Sequence, residues 1–442
     1  MKKKSVFENQ KKKYKYQLLI LGKLLILCNY TGQVSEFYAM RPKSRKSNPR
    51  PPKIEKVKHP RTSHSSPKKT HENLPNEVLT QIFEYLSLKE LVRCGNTCQR
   101  WKLVISNTEK VWKMANLTNK NVPVSFLNHL SSQGTKYLSL QNARLIKDEE
   151  FSDIRESKFT HLNLYKTRGF QDGYDPFKNQ ASDVLEKLLK SCHFVEKLAL
   201  TKLVLNPNFL TGIVQNASTL TVLNLWCCKG LTVDMIDVIF TNCQELTEVN
   251  MGATTGEDKF SSVLFEEAVD SFCKKISPKL QKLSLGGCEV RSCQIQTLVE
   301  RCPNISELYL HATPLEDNSV DIIMKGFFKT LIKLQLPYYI NLSALQGRRN
   351  PFAIGQIGPP KLNIGDLPNL KYLWYRKNDL EEDEKEILTQ MLPKAIINQG
   401  TFDIASPNKT FWDIKCKRSD IFQEREPNPP RNSPMKVYLG FD

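Results

Sequence analysis

The stretch Leu220-Thr221-Val222-Leu223-Asn224-Leu225-Trp226-Cys227-Cys228 decides the fold. Its inward residues stand at positions 0, +3, +5 and +8. The central Leu-x-Leu has the two-residue period of a short strand with one face buried. The same spacing returns along the chain, beginning weakly with Thr135, Leu138, Leu140, then Phe159, Leu162, Leu164 and Val195, Leu198, Leu200, Leu203. It continues with Leu246, Val249, Met251, then Leu280, Leu283, Leu285, Cys288, then Ile305, Leu308, Leu310 and Leu331, Leu334, Leu336, and closes with Leu370, Leu373, Tyr375. The second positions advance by 24, 36, 25, 26, 34, 25, 26 and 39 residues. A fixed period interrupted by insertions is the sequence signature of a stacked array.

The register is that of leucine-rich repeats, L-x-x-L-x-L-x-x-[NC]-x-L. About nine repeats over residues 136–400 predict an α/β solenoid with a parallel sheet on its concave side. Helices are predicted between strands, at 182–192, 233–243, 265–273 and 294–302. Several of these end in Cys, and a buried thiol there reads as a small apolar filler with a weak donor. On the concave side the early positions are mild: Ser139, Ala199, Asn224, Asn250 and Ser284. Bulk is expected at Trp226, Tyr309, His311, Tyr372, Trp374 and Arg376, and exposed aromatics with Arg are the composition of binding hot spots. The other reading of these positions is that the chain's own C-terminus covers them.

Ahead of the array, the composition changes over residues 73–108. Leu79, Ile82, Phe83 and Leu86 make one apolar helical stripe, and Pro75 suits a first turn. Ser87 and Glu90 stand at capping-box spacing, so a second helix is predicted from Leu88, with Leu91 and Val92, ending at Gly95 and Asn96. A third carries Trp101, Val104 and Ile105 inward. So small a core is marginal and leaves an apolar face for a partner. The order Leu74-Pro75-x-Glu77-x-Leu79-x-x-Ile82-Phe83-x-x-Leu86, Leu91, Cys98-x-Arg100-Trp101 and Val111-Trp112 resembles the F-box. The resemblance implies a three-helix F-box over 72–117 that docks the Skp adaptor of a cullin–RING ubiquitin ligase. It assigns adaptor binding to Leu74, Pro75, Glu77, Leu79, Ile82, Phe83, Leu86 and Leu91. Residues 118–135 then read as a linker.

From Val111 onward the sequence resembles, within the F-box and leucine-rich-repeat receptors, a cell-cycle branch. The segments that carry this are Leu130-Ser131-Ser132-Gln133-Gly134, Val299-Glu300-Arg301-Cys302-Pro303-Asn304-Ile305 and Phe411-Trp412-x-Ile414-Lys415-Cys416-Lys417. The likeness implies a substrate receptor that presents phosphorylated cyclin-dependent-kinase inhibitors for ubiquitination and degradation. It also implies a cyclin-kinase-subunit accessory protein on the last repeats, and a tail, 401–442, returning along the concave face with Phe402 and Trp412. Two places depart from the branch: Cys288-Glu289 and Tyr338-Tyr339 stand where its members carry basic side chains. They leave open a different, non-cell-cycle partner, or a scaffold role without ubiquitination.

The net charge of +18 on 442 residues invites a nucleic-acid reading until it is located. Residues 1–40 contribute +6 and 41–70 contribute +10, which leaves +2 for the rest. The charge is a tail, and specific nucleic-acid binding is not expected. Residues 1–40 read as a basic and apolar stub whose apolar run, Leu18 to Leu27, is too short to span a bilayer. Residues 41–71 read as a disordered basic linker. Within it, Ser66-Pro67-Lys68-Lys69 has the order that cyclin-dependent kinases favour. None of the twelve cysteines forms a Cys-x-x-Cys pair. Free thiols, no metal, no cofactor and no catalytic residues are expected, with residence in nucleus and cytoplasm. The implied mechanism is proximity: one end fixed to a ligase, the other holding a substrate.

Overall fold

A computed structural model of the chain describes residues 74–86, 88–146, 154, 156–167, 182–254, 266–347, 362–375 and 380–398. Two units are divided between Val111 and Trp112. The expectations for residues 1–71, with Ser66, for Ser87, for Arg376 and for the tail with Phe402 and Trp412 lie outside the described residues.

The first unit is three short helices and a single turn: α1 (Asn76–Phe83), α2 (Leu88–Gly95), α3 (Gln99–Asn107) and α4 (Glu109–Trp112). Pro75 precedes α1 with φ −56°, so its missing N–H falls where no intrahelical bond is due. Cys98 caps α3, its Sγ accepting from the Trp101 amide at 3.5 Å. Leu79, Phe83, Leu86, Leu91, Trp101, Val104 and Ile105 make the core. Phe83 and Trp101 meet edge to face at 5.6 Å. The Arg100 guanidinium donates to the Leu74 carbonyl and, at 2.9 and 3.1 Å, to Asn76 Oδ1, tying α3 to the start of α1.

The second unit is a parallel array. Its strands are β1 (Met114–Asn116), β2 (Asn121–Pro123), β3 (Tyr137–Ser139), β4 (Arg144–Ile146), β5 (His161–Asn163), β6 (Lys197–Ala199) and β7 (Val222–Asn224). They continue as β8 (Glu248–Asn250), β9 (Lys282–Ser284), β10 (Glu307–Tyr309), β11 (Lys333–Gln335), β12 (Tyr372–Trp374) and β13 (Ile396–Ile397). Eleven form one sheet in chain order, with β2 and β4 paired apart from it. The central residues stack in register, Leu138 against Leu162, then Leu198, Leu223, Val249, Leu283, Leu308, Leu334 and Leu373, none more than 3% exposed. These nine strands fall where the repeat spacing puts them.

The helices are α5 (Val124–Ser132), α6 (Ser182–Lys190), α7 (Asn208–Val214), α8 (Val233–Asn242), α9 (Glu266–Lys275), α10 (Ser292–Arg301), α11 (Asp317–Gly326), α12 (Leu342–Leu345) and α13 (Glu382–Met391). Phe240 of α8 and Phe272 of α9 pack edge to face at 4.7 Å. At Gly326 a Cβ would lie 2.3 Å from Val299 Cγ2, so α11 approaches α10 as only glycine allows.

Three expectations need correction. Residues 118–135 are not simply a linker: they hold β2 and α5, because Val122, Val124, Leu127 and Leu130 are buried. The sheet also extends one strand beyond the repeat pattern at each end, through β1 and β13. Finally, α10 starts at Ser292, where the Arg291 amide donates to Gln294 Oε1 at 3.0 Å, ahead of the expected 294.

Eight strands, β1, β3 and β5 to β10, leave the sheet by the same device. Asn119, Asn142, Lys166, Lys202, Cys227, Ala253 and Ala312 have φ between 52° and 59°, and Gly287 has φ 76°. In each of these, one left-handed residue turns the chain out of the strand. The side chain just before that turn is often braced by an asparagine: Asn163, Asn224 and Asn250 Oδ1 accept from the amides two residues on, at 2.9–3.1 Å. At position +8, Thr167, Cys228, Thr254 and Cys288 reach the carbonyl of the previous repeat, at 3.0, 3.0, 2.9 and 3.3 Å. In these four repeats the position holds one small donor in an apolar surround, while Leu203 fills it in the Val195 repeat.

Candidate binding surfaces

The first surface belongs to α1. At about 100° per residue, its apolar positions cover an arc of roughly 140°. Leu79, Phe83 and Leu86 take one side of that arc and are buried, as is Leu91 of α2. The other side faces water: Pro75 and Glu77 are exposed, Val78 is 37% exposed, and Leu74 and Ile82 are half-buried. The residues assigned to adaptor binding therefore divide into a core set and a surface set. Val78 was missed. The alternation of 75, 78 and 82 beside 79, 83 and 86 was its signal.

The second surface is the open side of the sheet, opposite the inward leucines. Its rows follow the alternation of the strands. The first strand residues run Tyr137, His161, Lys197, Val222, Glu248, Lys282, Glu307, Lys333 and Tyr372. The third run Ser139, Asn163, Ala199, Asn224, Asn250, Ser284, Tyr309, Gln335 and Trp374. Toward the C-terminal end lies an aromatic cluster. Tyr372 and Trp374 stack at 5.8 Å, Trp374 and Tyr309 stand 6.2 Å apart, and Lys333 Nζ lies 5.6 Å above the Tyr372 ring. Tyr309 Oη donates to Glu307 at 2.9 Å, and Lys333 bonds the same carboxylate at 3.2 Å. His311 Nδ1 lies 3.2 Å from Gln335 Oε1, and burial lowers its pKa.

The expectation of exposed hot spots changes here. Trp226, His311 and Tyr372 are half-buried, but Tyr309 and Trp374 are only 3% and 6% exposed. The open aromatic surface is instead the edge-to-face pair Tyr338 and Tyr339, 58% and 38% exposed with ring centres 5.3 Å apart.

At the other end of the face, His161 packs edge to face on Tyr137 at 4.6 Å. Burial, then the charge of Lys197, push its pKa down to about 4. Sequence reasoning passed over Tyr137, His161, Tyr165 and Lys202, although all follow from the residues flanking each inward leucine. The buried thiols of the array are held in their protonated form. Burial raises Cys192 to about 11 and Cys228, Cys243, Cys288 and Cys302 to about 12, so they remain protonated donors. Among the described residues, no group of three His, Cys, Asp or Glu is placed to hold a metal ion, and no helix is long and apolar enough to cross a membrane.

Comparison with known proteins agrees with this geometry. Residues 71–118 match the F-box-like family model. The chain is 25% identical over 301 residues to F-box/LRR-repeat protein 21 of Bos taurus, covering 66% of this chain and 56% of that protein. It is 23% identical over 245 residues to the Mus musculus protein of the same name, covering 55% and 46%. The chain thus spans about half the length of the curated relatives it matches. Among solved structures, an internalin from Listeria monocytogenes is similar at 14% identity and TM-score 0.35, over 69% of this chain and 73% of that one. The chain is an F-box-like unit followed by a leucine-rich repeat array, the two parts that the names of its curated relatives carry.

Proposed function

We propose that the chain is a substrate receptor of a Skp adaptor–cullin–F-box ubiquitin ligase. The observation that carries this is the division of labour on α1. Leu79, Phe83 and Leu86 are used by the unit's own core, while Pro75, Val78 and Ile82 leave an apolar strip in water, in a segment matching the F-box-like family. An apolar strip on so small a unit is the expected footprint of an obligate partner. The array then holds the substrate, and the chain itself supplies no chemistry. Holding the substrate near a charged conjugating enzyme raises its local concentration, which is the whole catalytic contribution.

The finer reading is a receptor of the S-phase kinase-associated protein 2 type. It would work in nucleus and cytoplasm on phosphorylated cell-cycle inhibitors, with a cyclin-kinase-subunit accessory protein on the last repeats. The residue likenesses given above support it. Cys288-Glu289 and Tyr338-Tyr339, where basic side chains are expected, favour a second reading, a receptor for a partner outside the cell cycle. One experiment separates them. The full chain is reconstituted with adaptor, cullin and RING subunit, and ubiquitination of a phosphorylated cyclin-dependent-kinase inhibitor is measured with and without the accessory protein. Adaptor binding without that activity leaves the receptor reading and removes the cell-cycle one. Absence of adaptor binding removes both.

A further inference from the structure

The two halves of the open face hold their cations differently. On the later strands, lysines are paired with carboxylates of the neighbouring strand: Lys282 with Glu248 at 2.7 Å and Lys333 with Glu307 at 3.2 Å. Earlier in the array, Lys113, Lys136, Lys197 and Lys202 form no ion pair with any described residue. Two of these lysines lie on aromatic rings. Lys113 Nζ is 5.5 Å from the centre of Tyr137. Lys202 Nζ is 4.6 Å from Trp226 and 5.7 Å from Tyr165.

Thr201 occupies the row between those last two rings, one strand from each. The side chain of Lys202, which reaches both, spans it. Thr201 is fully buried and its hydroxyl has no hydrogen-bond partner. Asn163, also fully buried on the neighbouring strand, uses its Oδ1 to brace the Tyr165 amide, while its Nδ2 has no partner. Buried donors are rarely left unmade. Here two lie on the neighbouring repeats that carry Tyr165 and Lys202, and Lys202 has no carboxylate partner.

We propose that this patch binds a carboxylate side chain from an acidic peptide segment of a partner protein. Lys202 swings off the rings to meet the carboxylate, Thr201 Oγ1 and Asn163 Nδ2 donate to its oxygens, and Tyr165 and Trp226 wall the site. One ammonium with two neutral donors complements a single negative charge. Phosphate sites are more often built from arginine pairs, and no described arginine lies on the sheet's open face. The proposal deepens the receptor reading and rests on it for its biological meaning. Its test does not use the ligase, so a missing adaptor interaction would leave this result standing.

The test is fluorescence polarisation with the full chain and a short labelled peptide of alternating Glu and Ser. Binding should weaken with salt. Lys202→Gln should lower affinity by about tenfold or more, the value of a charge-assisted hydrogen bond. Thr201→Val should lower it by about threefold or more without lowering the melting temperature, since it removes a hydroxyl that has no partner in the free protein. Lys385→Gln, on the distant α13, should bind as the parent does. Any of three results overturns the proposal: no binding of the Glu peptide, equal binding by the parent and both patch variants, or equal binding of a Gln–Ser peptide. Tighter binding of a phosphoserine peptide than of the Glu peptide overturns the choice of carboxylate.

Discussion

His161 makes the array sensitive to acid. Its ring lies 5% exposed against Tyr137, with Nδ1 2.9 Å from Thr160 Oγ1 and Lys197 paired beside it on β6. Burial and the lysine charge hold its pKa near 4 against the ordinary 6.5, and a hydrogen bond to the Thr160 backbone opposes them. Above pH 6.5 neither the folded nor the unfolded chain protonates the ring, so it has no effect. Below that, the unfolded chain takes up a proton that the folded chain refuses, and stability falls with pH until the folded ring titrates near 4. Integrated across this window, the loss is on the order of 3 kcal/mol at most. The assay is urea denaturation of the parent and His161→Gln at a series of pH values. The parent should lose more stability than the variant between about pH 6.5 and 4, with no difference above that range. His129 and His311, whose pKa values burial also lowers, are common to both proteins and cancel. Lys197→Met should reduce the drop by removing the second cause. Parallel stability curves for the parent and His161→Gln would refute the reasoning, as would a ring resonance titrating at its ordinary pKa.

Other outcomes follow from the same structure. Val78→Glu should abolish adaptor capture while leaving the helical circular dichroism of the first unit intact, whereas Phe83→Ala should cost that unit about 3–5 kcal/mol through its cavity. Equal capture by both variants would show that α1 is not the docking face. Gly287→Ala should destabilise the array by about 1–2 kcal/mol and Ala312→Gly should stabilise it by up to about 1 kcal/mol, because both positions are left-handed. Thermal melts that rank the two the other way would refute the turn argument. Ser66→Asp should alter nuclear fraction or lifetime with adaptor affinity unchanged, and mass spectrometry finding Ser66 unmodified in dividing cells would end that idea.

The repeat spacing alone determined where nine strands lie and which residue of each points inward. Strand periodicity is local, and a parallel ladder has no register freedom once every second position is leucine. The sequence likewise exposed the three helices ahead of Trp112, through the stripe from Leu79 to Leu86. Only the tertiary structure decided how the residues outside that pattern are used. β1 and β13 exist because a neighbour offers them an edge, which no property of Met114–Asn116 or Ile396–Ile397 announces. Ring stacking withdraws Tyr309 and Trp374 from solvent while Tyr338 and Tyr339 stay open, although all four read alike as aromatics beside late strands. Lys202 reaches two rings because Tyr165 and Trp226 come from strands on either side of its own. Inward positions are fixed by the chain's own alternation, but the open face is made of neighbours separated by a whole repeat, and their meeting depends on insertions of unequal length between them.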